Sequence, residues 1–133
     1  MASLTKEITI EASADEVWAV IGDFAGGPSR MAPGYVVDAR VDGEHRVVTF
    51  ANGTVAHERF VALDAGSRRI VYAIEGERIV HDNASMQVLE DGPERCRLIW
   101  IHDFLPDAIA PVIESGMTQA LGVIKHTLES AAV

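Results

Sequence analysis

The feature that most restricts the fold is the stretch from Tyr35 to about Leu105, a series of short runs of alternating polarity divided by turn signals. Alternation with period two marks half-buried strands, and short connections between such strands give an antiparallel meander. The turns fall at Asp42-Gly43, Asn52-Gly53, Ala65-Gly66-Ser67, Gly76-Glu77 and Asp91-Gly92-Pro93, which leaves room for five or six strands. Asn52-Gly53, between Val48-Thr49-Phe50 and Val55, is the strongest hairpin signal. A sheet of this kind needs cover on one face, and the C-terminal segment supplies it. Ile109, Ile113, Met117, Leu121, Ile124 and Leu128 recur at spacings of four and three, the stripe of a long amphipathic helix. Pro111 suits its first turn, and Lys125 and His126 suit the negative end of its dipole. Gly116 and Gly122 each weaken such a helix by about 1 kcal/mol relative to Ala. Close approach to the sheet, a slight bend and simple tolerance all account for them.

Ahead of the meander, Leu4 to Glu11 alternates and predicts a first strand. Ser13 followed by Ala14, Asp15 and Glu16 forms a capping box, with acids at the positive end of the helix that follows. Val17, Trp18, Ile21 and Phe24 give that helix one apolar stripe; Gly26, Gly27 and Pro28 stop it, and Ser29 to Pro33 reads as irregular with at most one further turn. The order strand, helix, meander, long helix predicts an α+β fold. It is one curved antiparallel sheet of about seven strands wrapped around a long C-terminal helix, with one or two short helices after the first strand, and residues 1–133 form one domain.

Composition excludes several classes of function. Eleven Lys and Arg against twenty Asp and Glu give a net charge of −9, which repels phosphate backbones and anionic membrane faces. One cysteine, Cys96, permits no internal disulfide, and there is no leader-like segment or run of 18 apolar residues, so a cytoplasmic protein with no membrane insertion is expected. The five histidines show no zinc-ligand spacing, and no Rossmann fingerprint, P-loop or nucleophile elbow is present, so neither metal nor cofactor is expected.

The segment Ile10-Glu11-Ala12-Ser13-Ala14-Asp15-Glu16-Val17-Trp18-Ala19-Val20-Ile21-Gly22-Asp23-Phe24 resembles the opening of the START-like, birch-pollen-allergen-like (SRPBCC) superfamily, especially its bacterial polyketide cyclase/dehydrase and lipid-transport branch. Asn52 to Phe60, Leu63-Asp64, Ile70 to Ile74, Leu98-Ile99-Trp100 and the closing helix are similar to the same branch and, more loosely, to plant abscisic acid receptors. The resemblance implies a helix-grip fold with a hydrophobic cavity between sheet and C-terminal helix. The superfamily hosts carriers, receptors, cyclases and cochaperone modules on one scaffold, so fold alone does not select among them.

Candidate site residues follow from both readings. On Thr54 to Asp64, Glu58 shares a face with Phe60 and Ala62; it either lines the cavity, where burial makes it an acid or base, or forms an ion pair with an arginine such as Arg46. The resemblance favours cavity lining. On the even face of Cys96 to Phe104, Trp100 reads as core or cavity wall and His102 as a hydrogen-bonded core residue or a proton relay. Cys96, on that same face, reads as buried and inert. His81, Asn83, Ser85 and Gln87 share one strand face, ordinarily a solvated one, yet Asn83 and Ser85 match pocket-lining positions of the receptors. Tyr72 resembles a pocket-facing aromatic. Gly76-Glu77-Arg78-Ile79 lacks the histidine of the receptors' gating loop, which argues against a hormone receptor. Arg30 and Met31 fall where the family has its cavity entrance; there Arg30 either meets a carboxylate-bearing ligand or, the commoner fate of a guanidinium, faces solvent. The expected function is binding of a small hydrophobic or amphipathic ligand of lipid, polyketide or isoprenoid type by Glu58, Phe60, Tyr72, Asn83, Ser85, Trp100, His102, Met117 and Leu121. The alternative is a polyketide aromatase/cyclase or dehydratase with Glu58 and His102 as acid and base. An interaction module is a third reading, to be marked by an apolar patch on the outer sheet face to which Ile99 and Ile101 contribute. A monomer or weak homodimer is expected.

Overall fold

A computed structural model of the chain describes residues 1–132. Seven strands, β1 (Ala2–Ile10), β2 (Val36–Asp42), β3 (His45–Phe50), β4 (Val55–Asp64), β5 (Arg69–Glu75), β6 (His81–Glu90) and β7 (Cys96–Leu105), form one sheet. Their order is β1-β7-β6-β5-β4-β3-β2 and every pairing is antiparallel. Two short helices, α1 (Ala14–Ile21) and α2 (Gly27–Met31), follow β1, and α3 (Ala110–Ala131) closes the chain after one turn of 3-10 helix. This is the helix-grip architecture expected from the sequence. None of the helices is long and apolar enough to cross a membrane.

Local chemistry explains the boundaries. The Ser13 hydroxyl accepts from the Glu16 N–H at 3.2 Å and donates to its carboxylate at 2.9 Å, which caps α1. Where the sequence suggests that Gly26-Gly27-Pro28 merely ends the first helix, the structure begins a second one there, because a proline in the first helical turn loses no hydrogen bond. Gly27 is the residue that lets α2 lie on α1: a Cβ there would meet the Val20 carbonyl oxygen at 2.7 Å. Gly43, Gly53 and Gly92 adopt positive φ at three of the predicted turns. Gly122 faces open space and Gly116 would contact only the Tyr35 hydroxyl, at 3.9 Å, so close packing on the sheet is not what the helix glycines serve.

The inner face of the sheet carries the even positions of β7, β6 and β5 and, on β4, Ala56, Glu58 and Phe60, until a bulge between Phe60 and Ala62 shifts the register. Ile10, Val17, Ile21, Ile70, Val88, Leu98, Leu121, Ile124 and Leu128 pack between this face and the helices. The buried residues of α3 are Met117, Ala120, Leu121, Ile124 and Leu128; the predicted stripe holds from Met117 onward, whereas Ile109 falls in the 3-10 turn ahead of the helix and Ile113 is only half-buried. Near its end, Lys125 Nζ reaches the Thr9 carbonyl and Glu129 Oε2 (2.7 Å to the latter), and Glu129 Oε2 accepts from the Glu11 N–H at 2.8 Å, tying α3 to the end of β1.

Candidate ligand site

Side chains of α2, β2, β3, β4, β5, β6, β7 and α3 surround a cavity of about 70 Å3. That exceeds a single-water void. Most of the lining is apolar: Met31, Val36, Val48, Phe50, Met86 and Ile124 are among its walls, with Ala120 the small residue that α3 presents. Tyr35 and Phe50, packed edge to face with ring centroids 5.4 Å apart, form both a wall of this cavity and a wall of an outer groove under the first turns of α3.

One ion pair stands in this apolar lining. Arg46 Nε donates to Glu58 Oε1 at 2.7 Å, and the two residues are 4% and 8% exposed. Register explains the pairing, since Arg46 and Glu58 are cross-strand partners on β3 and β4. Arg46 also donates to the Phe24 carbonyl at 3.1 Å, and its guanidinium lies 4.6 Å from the Phe24 ring centroid and 4.7 Å from that of Tyr72. Phe24, expected on the stripe of α1, lies beyond the end of that helix and serves here instead. The pair is neutral as a unit, and both charges are buried with partners, the condition under which burial is tolerated.

Beside it Trp100 Nε1 donates to the Tyr72 hydroxyl at 3.1 Å, so the indole finds the partner that its burial requires. Burial, and then the negative charge of Glu58, push the Tyr72 phenol well above its ordinary range, so it keeps its proton. Farther along the same face, His102 Nδ1 and Asp82 Oδ1 are 2.8 Å apart, with the two residues 7% and 4% exposed. The His102 ring lies 5.4 Å from that of Trp100, centroid to centroid. The site therefore consists of two buried carboxylates, each paired to a base, joined through a tyrosine and a tryptophan inside an apolar shell.

A model of the polyketide cyclase/dehydrase and lipid transport family matches residues 1–129. The chain belongs to that family. No curated protein matches the sequence. Among solved structures, an uncharacterized protein from Bacillus thuringiensis superposes with a TM-score of 0.84 at 20% identity, over 96% of this chain and 98% of that one. The di-domain aromatase/cyclase BexL of the BE-7585A biosynthetic pathway gives 0.80 at 19% identity, over 97% of this chain and 47% of that one. A START superfamily protein from Mycobacterium smegmatis gives 0.72 at 14%, over 98% and 96%. These likenesses establish the START-like fold.

Within this family member, the residues singled out by sequence divide into three groups. Glu58, Tyr72 and Trp100 line the cavity together. For Glu58 both expected outcomes hold at once, because it faces the cavity and is paired to Arg46; an argument from burial alone omits that guanidinium. His102 stands behind Trp100, with Asp82 as its partner, and Phe60 sits at the rim, 38% exposed and edge to face with Phe24. Asn83 and Ser85 are not brought to the cavity: Ala84 pairs with Tyr72 and His102 on the inner face, so by alternation its two neighbours project from the outer one, where Ser85 opposes Ile101. Met117 and Leu121 are buried under α3, but Ala120 and Ile124 are the helix residues at the cavity. At the entrance Met31 points in, whereas Arg30 is exposed and bonds Asp23 Oδ2 at 3.1 Å. Ile99 and Ile101 are half-buried. Sequence reasoning missed Asp82, whose signal was its alternation with Ala84 and Met86, and Tyr35, which opens the meander one residue ahead of β2 and was not singled out there.

Proposed function

We propose that the protein binds one small hydrophobic or amphipathic molecule of the lipid, polyketide or isoprenoid type between its sheet and α3. The observation that carries this is the apolar cavity built around a single neutralised ion pair. Such a lining draws in an apolar body, and the free oxygen of Glu58 and the Tyr72 hydroxyl orient any polar group on it. The closed cavity is smaller than the roughly 300–1,000 Å3 of a site for a drug-sized ligand. A larger ligand is accommodated by displacing Tyr35 and Phe50, which opens the cavity into the outer groove. The net charge of −9 supports action away from nucleic acid and anionic membranes. Native mass spectrometry of protein purified from its own host tests this directly. The expected result is an added mass of an apolar compound that is lost on denaturation, with a rise in Tm when the compound is restored. No added mass, and no rise with any member of a lipid and polyketide panel, overturns the reading.

The alternative, a polyketide aromatase/cyclase or dehydratase, is supported by the likeness to BexL and by the two base-paired carboxylates. Glu58 on β4 and His102 on β7 are three strand spacings apart, about 14 Å along the sheet. As acid and base they would act on separate positions of an extended substrate. Loss of poly-β-keto turnover in Glu58→Gln and in His102→Ala is the expected outcome for an enzyme; undiminished turnover in both eliminates it.

A further inference from the structure

His102 Nε2 is buried from solvent and has no hydrogen-bond partner among the described residues, and it is the only buried side-chain polar atom there of which this is true. A protein of this size satisfies nearly all such groups, because an unpaired one costs about 1–3 kcal/mol. The other ring nitrogen is accounted for: Nδ1 lies 2.8 Å from the carboxylate of Asp82, itself buried. A carboxylate can only accept, so the Nδ1 proton belongs to that bond, and the tautomer it selects carries its lone pair at Nε2. The ring packs against Trp100, which on its own account lines the cavity and donates to the Tyr72 hydroxyl. Trp100 is thus the partition between the apolar cavity and a fixed hydrogen-bond acceptor.

We propose that the ligand site continues past Trp100 to His102, and that Nε2, held by Asp82, accepts a hydrogen bond from a hydroxyl on the ligand, selecting phenols or enols over the corresponding hydrocarbons. This inference rests on the ligand-binding reading and sharpens it to a substrate class. Trp100 is held in place by one hydrogen bond and by packing, so a ligand hydroxyl that takes over the Tyr72 phenol or the imidazole offsets what its displacement loses. Asp82 is a positioning residue here, fixing the tautomer rather than touching the ligand.

The test compares 2-naphthol with naphthalene as probes, by calorimetry and by 15N spectra of the histidine rings, in the wild type and in His102→Phe, which keeps the ring volume and removes the acceptor. In the free wild type, His102 should carry its proton on Nδ1 and a bare Nε2, and 2-naphthol alone should shift the Nε2 resonance. His102→Phe should weaken 2-naphthol by roughly tenfold, the loss of one buried hydrogen bond, while changing naphthalene little. Equal weakening of both probes, or a preference for naphthol that survives the substitution, overturns the inference while leaving the cavity reading intact. Binding of neither probe to the wild type overturns the inference and counts against the cavity reading as well. If His102→Phe does not fold, the wild-type spectra decide. A proton on Nε2 in the free protein, or an Nε2 signal unmoved by bound 2-naphthol because a fixed water alone satisfies it, overturns the inference.

Discussion

Replacing Arg46 by methionine should destabilise the protein severely, and replacing its partner as well should restore most of the loss. Arg46→Met removes the 2.7 Å bond to Glu58, the 3.1 Å bond to the Phe24 carbonyl and the stacking of the guanidinium between Phe24 and Tyr72. Hydrogen bonds to charged groups contribute about 1.5–3 kcal/mol each and a cation–aromatic contact about 0.5–2 kcal/mol, but these terms overlap within one side chain. The larger consequence is a carboxylate left 8% exposed with no counter-charge. Breaking a buried pair from one side costs about 3–5 kcal/mol in total, a large share of the stability of a domain. With m near 1.5–2 kcal/mol/M in urea, the midpoint should fall by about 2 M. Arg46→Met combined with Glu58→Leu removes both charges from an apolar cavity and should come back to within about 1 kcal/mol of the wild type, or exceed it. Urea unfolding of the wild type, both single variants and the double variant closes the cycle. A single substitution that costs under about 1 kcal/mol, or a double variant no better than the worse single one, would refute the view that the pair is a buried, mutually dependent unit.

Three further outcomes follow from other parts of the chain. Gly122→Ala should raise stability by about 1 kcal/mol in urea melts, since the added methyl meets nothing within 4 Å and glycine is poor in helix interiors; a loss of stability would mean that the helix needs the glycine. Burial pushes the Cys96 thiol up to about 11, so native protein at pH 8 should react with a thiol reagent only as fast as it unfolds, while denatured protein reacts at once; fast native labelling would contradict the packing of β7. The ammonium of Lys125, and then the Glu11 N–H, lower the pKa of Glu129, so its contribution to stability is present above the ordinary carboxylate range and is lost as pH falls below that range. The difference in stability between wild type and Glu129→Gln should accordingly be present at pH 7 and shrink as the pH is taken below the ordinary carboxylate range, and a difference that stays constant would show that charge is not its source.

Legibility differed between levels for physical reasons. The meander and the long helix were readable because turns such as Asn52-Gly53 and the stripe from Met117 to Leu128 are local patterns, whereas the place of β1 beside β7 is a long-range pairing that no local pattern gives. Face assignment was readable on β7, where Cys96, Leu98, Trp100, His102 and Phe104 differ clearly from their neighbours, and Trp100 and His102 were placed correctly on the inner face. It was not readable on β6, whose two faces carry Asp82, Ala84 and Met86 against Asn83, Ser85 and Gln87. Each face includes polar residues, and what decides between them is the pairing of Ala84 with Tyr72 and His102, a long-range fact. The Arg46–Glu58 bond depends in the same way on the register of β3 against β4. On α3, Ala120 and Leu121 are both buried, and a stripe alone cannot say which of two buried neighbours meets a void and which meets a sheet.

The way α3 is attached bears on how anything enters. None of its first seven residues, Ala110 to Gly116, is buried, while Met117, Ala120, Leu121, Ile124 and Leu128 all are, and the ties from Lys125 and Glu129 to β1 hold the far end. The helix is mounted like a springboard, bolted at its C-terminal end and overhanging at the other. The overhang roofs the groove beside Tyr35 and Phe50, and its polar links to the rest of the fold are long ones, a 3.5 Å contact from the Tyr35 hydroxyl to the Gly116 carbonyl and a 3.7 Å ion pair from Lys6 to the exposed Glu114. Local opening draws on the least buried segments first. The part of the fold that lifts most cheaply is therefore the part that stands over the doorway, and a ligand can be admitted without loosening the core that keeps the Arg46–Glu58 pair and the Asp82–His102 hydrogen bond dry.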